Sequence, residues 1–405
     1  MPLSIFAASV LVTCTFLAVV PHRFRGDEGS DYANLYAPVA RNVLAGRGFT
    51  SASGAFAVVY PPGYPLVLAA TFAAASFVGV SEHFGLLVLS VLAVALVSVL
   101  IFVLANIMWG VRAAIVSAAL WITYPFALWL TKQPNSELPF MVLLYGALVL
   151  LWYAMTRRVS LPTFFVCGFL LGLAMLVRPV AIGLPFVACA IVLLTPRLAK
   201  ARSKPLIIAV LLMGALMPVF PWEALAYTKT ERVIPLSVNG PRSIRDGLTY
   251  GVLTKGYRKE GFVSGDIATV MQNIAKESSD DSVREIAAAA MQQAFAHPVV
   301  MARLIALKVA RSWYGTDSGR REWPILFLQT GYLALVAWSI RRIWRTGGDE
   351  RTFILGTALV TLYFWGMTVL VLSTFRYMLP VMPLLLILGG AAITRRSSAK
   401  ATATI

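Results

Sequence analysis

Charge is what this sequence has least of. Charged residues fill 13% of the 405 positions, and only 18 residues are acidic. A soluble globular domain carries about 25%. The three cysteines, Cys14, Cys167 and Cys189, all fall inside apolar runs, which excludes a disulfide framework and any metal-ligand spacing and leaves small buried hydrophobes. His22, His83 and His297 are too scattered to read as a metal cluster. Internal repeats are absent, and low complexity is confined to an Ala, Ser and Thr-rich tail after Arg396.

What fills the chain instead is apolar. Hydrophobic residues make up 59% of it and the mean hydropathy is +0.76, the composition of a polytopic, all-α membrane protein. The net charge of +17 excludes no membrane role and does not read as nucleic-acid binding, because the Lys and Arg residues sit in short loops rather than in a basic domain with interleaved aromatics. The first 21 residues lack a basic start and a small-residue cleavage site, so they read as a retained helix.

A crossing needs about 20 mostly apolar residues. That measure predicts about ten: 3–21, 84–107, 112–131, 138–155, 161–177, 179–195, 206–227, 325–340, 352–372 and 377–393. The stretch 65–80 is apolar but short. The organisation expected is an N-terminal transmembrane catalytic module over 1–227 with a first outer loop at 22–64, an extracytoplasmic loop region over 228–324, C-terminal transmembrane helices over 325–395 and a cytoplasmic tail at 396–405. Within the loop region, the VNGPRS text reads as turns. A helix follows from about 281 to 296, ended or kinked by Pro298, and a second runs to about Trp313. Val300, Leu304 and Leu307 share an apolar face there, with Arg303, Lys308 and Arg311 as a polar, solvated face lying on the membrane surface.

Orientation follows the basic loops: Arg157 and Arg158; Arg197, Lys200, Arg202 and Lys204; Arg341, Arg342, Arg345 and Arg351; Arg395, Arg396 and Lys400. The positive-inside tendency makes these cytoplasmic. With a cytoplasmic N-terminus, 22–64 is outside and 65–80 is re-entrant or interfacial. The alternative has 65–80 crossing and the N-terminus outside. Under the first topology Asp27, Glu28, Asp31, Glu137, Arg178 and Arg376 all converge on the outer face.

The tract GDEGSDY at 26–32 crowds carboxylates beside the bilayer, where unpaired charge is costly. It is either a solvated loop that stops the helix or a functional site. Moving a sugar from a phosphate leaving group requires a carboxylate to take the acceptor proton and a cation to hold the phosphate. Asp27, Glu28, Asp31 and Glu137 supply the first type. Arg178 and Arg376, each at a helix end beside proline, supply the second, and a planar guanidinium suits bidentate phosphate binding; the bland reading is Arg snorkelling to headgroups. In YPPGYP, Tyr60 to Pro65, a stiff backbone with a hinge at Gly63 presents Tyr60 and Tyr64 either as an interfacial anchor or as a rigid wall for a lipid-linked substrate.

Taken in order, these pieces resemble the integral-membrane glycosyltransferases of the GT-C class, in particular the glycosyltransferase 39 group, the protein O-mannosyltransferases and the aminoarabinose transferases. The residues that carry the likeness are the acidic motif after the first helix; Tyr36, Arg41, Asn42 and Gly48; YPPGYPLVLA at 60–69; NSELPF at 135–140; GLAMLVRP at 172–179; and FRYMLPVMP at 375–383. The 228–324 loop matches least. The resemblance implies a polyprenyl-monophosphate sugar as donor, an extracytoplasmic acceptor that is a glycan, lipid or protein, inversion at the sugar carbon, a multi-pass protein of the inner (plasma) membrane and an active site on its outer face. It implies an acidic catalytic base in the first outer loop. Asp31 stands nearest the register set by Tyr36 and Arg41, Asp27 remains the alternative, and Glu28 is a supporting charge. Arg376, Arg178, Glu137, Tyr60, Tyr64 and Tyr377 are the expected substrate-binding residues. No metal ligand is assigned, although a divalent metal ion is left open as cofactor. Two other functions fit a membrane chain: a lipid-linked glycan polymerase or ligase, and a transporter or flippase. Transport is disfavoured because the charges sit at helix ends and leave the span interiors apolar.

Overall fold

The computed structural model describes residues 1–21, 31–198, 204–249, 252, 263, 265–279, 282–316, 319 and 321–395. Asp27 and Glu28 lie outside the described residues. Those described form helices and their connections, with no β-structure among them beyond one isolated bridge between Thr50 and Phe56. Among the described residues, seven helices are long and apolar enough to cross a bilayer: Pro2–Val19, Glu82–Trp109, Glu137–Thr156, Lys204–Thr230, Glu322–Ile343, Gly348–Leu370 and Phe375–Thr394. Gly63–Val78, Val111–Ile122, Leu161–Val177 and Pro179–Leu194 are shorter apolar helices packed among them. The chain is an all-α, multi-pass membrane protein.

Each predicted crossing corresponds to a helix or a broken helix, and the breaks have local causes. The 112–131 segment divides into Val111–Ile122 and Pro125–Leu130. Pro125 pushes Tyr124 out of the helical region, to φ −70° and ψ 112°, because the proline ring clashes with a helical preceding residue. The segments starting at Pro179 and Phe375 both open as 3₁₀ turns before becoming α-helical.

One helix pair packs especially closely. A Cβ on Gly168 would meet the Leu211 carbonyl oxygen at 2.0 Å, one on Gly172 the Ala215 oxygen at 2.2 Å, and one on Gly214 the Phe165 oxygen at 2.2 Å. Leu161–Val177 and Lys204–Thr230 therefore touch backbone to backbone, the geometry that glycines four apart permit within a membrane. Gly63 makes a similar approach, its Cβ position lying 2.5 Å from the carbonyl carbon and oxygen of Leu176. This contact, rather than hinge freedom, is what the glycine of YPPGYP provides. It sets Tyr60 and Tyr64 beside the chain just before Arg178.

The basic loops gather at one end of the bundle. Arg197 pairs with Asp349 at 2.7 Å and donates to the Thr156 carbonyl at 2.9 Å; Arg157 donates to Ile107 at 3.0 Å; Arg395 pairs with Glu350 at 3.3 Å. Glu137 stands at the opposite end of the 20-residue helix that finishes at Thr156, about 30 Å away. Gly63–Val78 starts and finishes at the Glu137 end, since Tyr64 lines the cavity there and Glu82, just beyond the helix, pairs with Arg41 at 2.7 Å. The segment thus begins and ends at one end of the bundle, as the re-entrant or interfacial reading expects.

Four helices, Asn239–Thr249, Gly265–Glu277, Val283–Ala296 and Pro298–Arg311, make up the described part of the long loop around a small core that includes Ile267, Met271, Ile274, Met301 and Leu304. Two expectations change here. The Gly240–Pro241 text opens a helix instead of forming free turns, because proline is compatible with a first helical turn. The polar face of Pro298–Arg311 is not solvated: only Arg303 is exposed, paired with Asp266 at 2.8 Å, while Lys308 and Arg311 are buried. Arg311 pairs with Glu322 at 2.6 Å. Lys308 Nζ donates to the carbonyls of Gly247 and Val371, the latter at 3.0 Å. The apolar side of this helix packs on Gly265–Glu277 and Val283–Ala296, so its face is spent on protein rather than lipid. The two helices on either side of His297 meet at 119° and do not form one straight span.

Candidate active site

The site begins with a carboxylate placed where the sequence makes ionisation easy to support. Asn135 fixes the turn before Glu137–Thr156 by donating to the carbonyls of Leu130 and Gln133, both at 2.9 Å, and by accepting the Leu138 N–H at 3.1 Å. Glu137 then falls in the first helical turn, where unpaired N–H groups and the helix dipole favour negative charge. Its side chain is fully buried, and burial of a lone carboxylate would be costly. Two guanidinium groups meet it. Arg178 Nη1 lies 2.7 Å from Oε1; Arg376 forks onto both oxygens, through Nε to Oε1 and through Nη2 to Oε2 at 3.1 Å. Two cations over one anion leave a net charge of +1 facing outward.

Arg376 sits on a short 3₁₀ segment and Arg178 directly before another, and each segment is held by a tyrosine from a neighbouring helix. Tyr145 donates to the Pro380 carbonyl at 2.8 Å and accepts the Leu384 N–H at 3.1 Å, bracing the turn that carries Arg376. Tyr363 accepts the Gly183 N–H at 2.9 Å and donates to the Val180 carbonyl, bracing the turn after Arg178. Arg178 also donates to Ser136 Oγ at 3.0 Å and lies 5.6 Å from the centre of the Tyr377 ring. The arginines are therefore positioned by protein on several sides.

Beyond the arginines opens a cavity of about 970 Å³. Arg178, Arg376, Tyr377, Tyr60, Tyr64 and Asp31 all line it. Tyr60 donates to Asp31 Oδ2 at 3.4 Å and stacks on Tyr36 with ring centres 4.7 Å apart. Burial first, then the nearby Asp31 charge, hold the Tyr60 phenol well above its ordinary pKa, so it stays protonated and available as a donor. Tyr64 is buried, meets Tyr36 edge-on at 4.9 Å, and carries a hydroxyl with no partner among the described residues.

Of the residues expected from sequence, Asp31, Arg178, Arg376, Tyr60, Tyr64 and Tyr377 share this one cavity. Glu137 lies beneath it, with no exposed surface of its own. Its carboxylate pairs with both arginines. Sequence reasoning missed Tyr145 and Tyr363, which look like any other aromatic residue in an apolar span. It also missed Asn239, Ser243 and Asp246, cavity residues on a helix read as turns. A spacing of four then three would have placed these three on one helical face. No group of three or more His, Cys, Asp or Glu side chains suited to a metal ion occurs among the described residues.

With this geometry in view, similarity to known proteins becomes specific. Residues 60–222 match the family model described as dolichyl-phosphate-mannose-protein mannosyltransferase, the stretch that contains YPPGYP, Glu137 and Arg178. The whole chain superposes on the archaeal oligosaccharyltransferase AglB from Archaeoglobus fulgidus, solved with an inhibitory peptide and a dolichol-phosphate, with a TM-score of 0.57 at 12% identity, covering 97% of this chain and 50% of that one. The apo form of the Archaeoglobus fulgidus enzyme gives a TM-score of 0.56 at 12% identity, with 96% and 50% covered. ArnT from Cupriavidus metallidurans, bound to undecaprenyl phosphate, aligns over 96% of this chain and 77% of its own at 15% identity, with a TM-score of 0.44. No curated protein matches the chain. The chain has the GT-C fold. It spans about half the length of the oligosaccharyltransferase on which it superposes.

Proposed function

We propose that this protein is a membrane glycosyltransferase that moves a sugar from a polyprenyl-monophosphate donor to an acceptor on the extracytoplasmic side of the plasma membrane. The observation that carries the reading is the pair Arg178 and Arg376, preset over a buried Glu137 and opening into a cavity that also holds Asp31. A phosphate monoester leaving group needs fixed positive charge where negative charge develops, and two braced guanidinium groups supply it without reorganising. Asp31 takes the proton from the acceptor hydroxyl. The hydroxyl oxygen forms its bond to the sugar C1 as the bond from C1 to the phosphate oxygen breaks, and polyprenyl phosphate leaves with the electron pair against Arg376 and Arg178. Attack opposite the departing phosphate inverts C1.

The match of residues 60–222 to a family named for a dolichyl-phosphate-mannose donor supports the lipid-phosphate sugar, and the basic loops at the end opposite the cavity support an extracytoplasmic site. The test is release of polyprenyl phosphate from labelled polyprenyl-monophosphate sugars by full-length protein in liposomes. Release that requires an added acceptor supports the reading, and its absence across hexosyl and pentosyl donors refutes it. Sidedness is tested separately with single-Cys variants and an impermeant thiol reagent. A Cys at position 239 reacts from outside in the expected orientation, and one at position 345 does not.

A further inference from the structure

The cavity has a second wall that the transfer chemistry above does not use. Asn239, Ser243 and Asp246 lie on the helix Asn239–Thr249 at a spacing of four and three, which puts them on one face, and all three line the cavity. Neighbouring residues fix which way that face points. Arg245 is turned onto Gly265–Glu277 and its end, donating to the Ala275 carbonyl at 2.6 Å and to the carbonyl and Oγ of Ser278 at 3.1 and 3.2 Å. Gly247 rests on Val371, where an added Cβ would stand 2.0 Å from the carbonyl oxygen. Between these two contacts Asp246 faces the cavity, half-buried, and pairs with no cation among the described residues.

We propose that this wall is the acceptor subsite and that the acceptor is a carbohydrate, bound through its hydroxyl groups; the proposal rests on the glycosyl-transfer reading. A pyranose offers several hydroxyls close together, each both donor and acceptor. The wall matches that with two carboxylate oxygens from Asp246, the Ser243 hydroxyl and the Asn239 amide, the last two held together at 3.1 Å. A cavity carboxylate that pairs with none of the cavity's arginines, Arg242 one turn away included, is open to hydroxyl donors, which a carboxylate binds through charge-assisted hydrogen bonds. Tyr64 and Thr374 also border the cavity, with their hydroxyl oxygens enclosed and without a partner among the described residues. Tyr60 and Tyr377 add flat rings for the C–H faces of a sugar.

The probe is a panel of methyl hexopyranosides at millimolar concentration, offered beside a Ser- and Thr-containing peptide to the full-length protein in nanodiscs and read by saturation-transfer NMR. At least one methyl glycoside receives saturation from the wild-type protein. The signal falls at least five-fold in Asp246→Asn, which keeps the shape of the side chain, and returns in part with Asp246→Glu, while the thermal midpoints of the variants stay with wild type. The proposal is overturned if no glycoside binds, if binding is the same in Asp246→Asn, or if the peptide binds through Asp246 in place of the glycosides. Failure of the transfer reading is distinguishable. Asp246-dependent glycoside binding without any turnover of lipid-phosphate sugar removes that reading, whereas turnover without glycoside binding removes only this proposal.

Discussion

Arg376 and Glu137 stand 239 positions apart in the chain and meet as a fork on a carboxylate, with Arg178 closing on the same oxygen that Arg376 Nε approaches. Glu137 has no solvent of its own, so its ionised form depends on these two partners. The arginines in turn depend on it for their aim. Three helix ends from distant parts of the sequence are thereby tied into one electropositive spot.

Removing either side of this contact has different consequences. Arg376→Ala leaves Glu137 paired with Arg178, so the protein folds. It loses a charge-assisted contact to the leaving phosphate of about 1.5–3 kcal/mol, and turnover falls ten-fold or more. Lys at 376 recovers part of this because it restores charge without the fork. Glu137→Ala leaves the mostly buried Arg178 and the partly exposed Arg376 facing each other without their carboxylate and costs about 1–3 kcal/mol of stability. Thermal melts of the purified variants beside turnover assays check both. Full activity in Arg376→Ala would return that residue to a headgroup contact.

Tyr145 tests whether the bracing matters to chemistry. Tyr145→Phe keeps the ring and removes the bonds to Pro380 and Leu384, leaving a buried carbonyl and amide unpaired at a cost of about 1–3 kcal/mol. The Arg376 turn then loosens, so turnover drops more than donor affinity does. A variant with wild-type kinetics and lowered stability would make Tyr145 purely structural.

Lys308 gives the protein a pH signature. Burial pulls its ammonium group down to about 7, from an unfolded value near 10.4. Below pH 7 both states carry the charge and the folded state bears the full penalty of burying it. Between pH 7 and about 10 the unfolded state binds more protons, so stability rises with pH. The carbonyls of Gly247 and Val371, which favour the charged form, moderate the rise. Comparing thermal midpoints of wild type and Lys308→Met from pH 6 to 9.5 isolates the effect: the wild-type curve climbs relative to the variant. Parallel curves would show that Lys308 does not titrate in this range.

Much of this architecture was legible from sequence because a membrane imposes a simple code. Runs such as 84–107 and 138–155 read directly as helices, and the clustering of Arg157, Arg197 and Arg395 at one end followed from loop charge. The site was legible in its charged members, since a few carboxylates and arginines at helix ends in an apolar chain stand out. What sequence left hidden depends on packing. Tyr145 and Tyr363 acquire their roles only from which carbonyls they reach. Gly168, Gly172 and Gly214 matter through the backbone of a partner helix, a signal present in the spacing of the first two but passed over. Lys308 and Arg311 read as a solvated face because the partners of Lys308, Gly247 and Val371, lie about sixty positions away, and Arg311 meets Glu322 only across the turn that follows its helix.

The account turns on Asp31 as the base that takes the acceptor proton. A positioned carboxylate contributes typically 10²–10⁴-fold, and Asn retains the size of Asp, and the bond from Tyr60, without its ability to accept a proton. The most direct measurement is release of polyprenyl phosphate by wild type, Asp31→Asn and Asp27→Asn in liposomes, with donor binding measured in parallel. The account predicts that Asp31→Asn binds donor as wild type does and loses at least 100-fold in turnover, while Asp27→Asn retains most of it. An active Asp31→Asn beside an inactive Asp27→Asn would contradict it and move the base to Asp27.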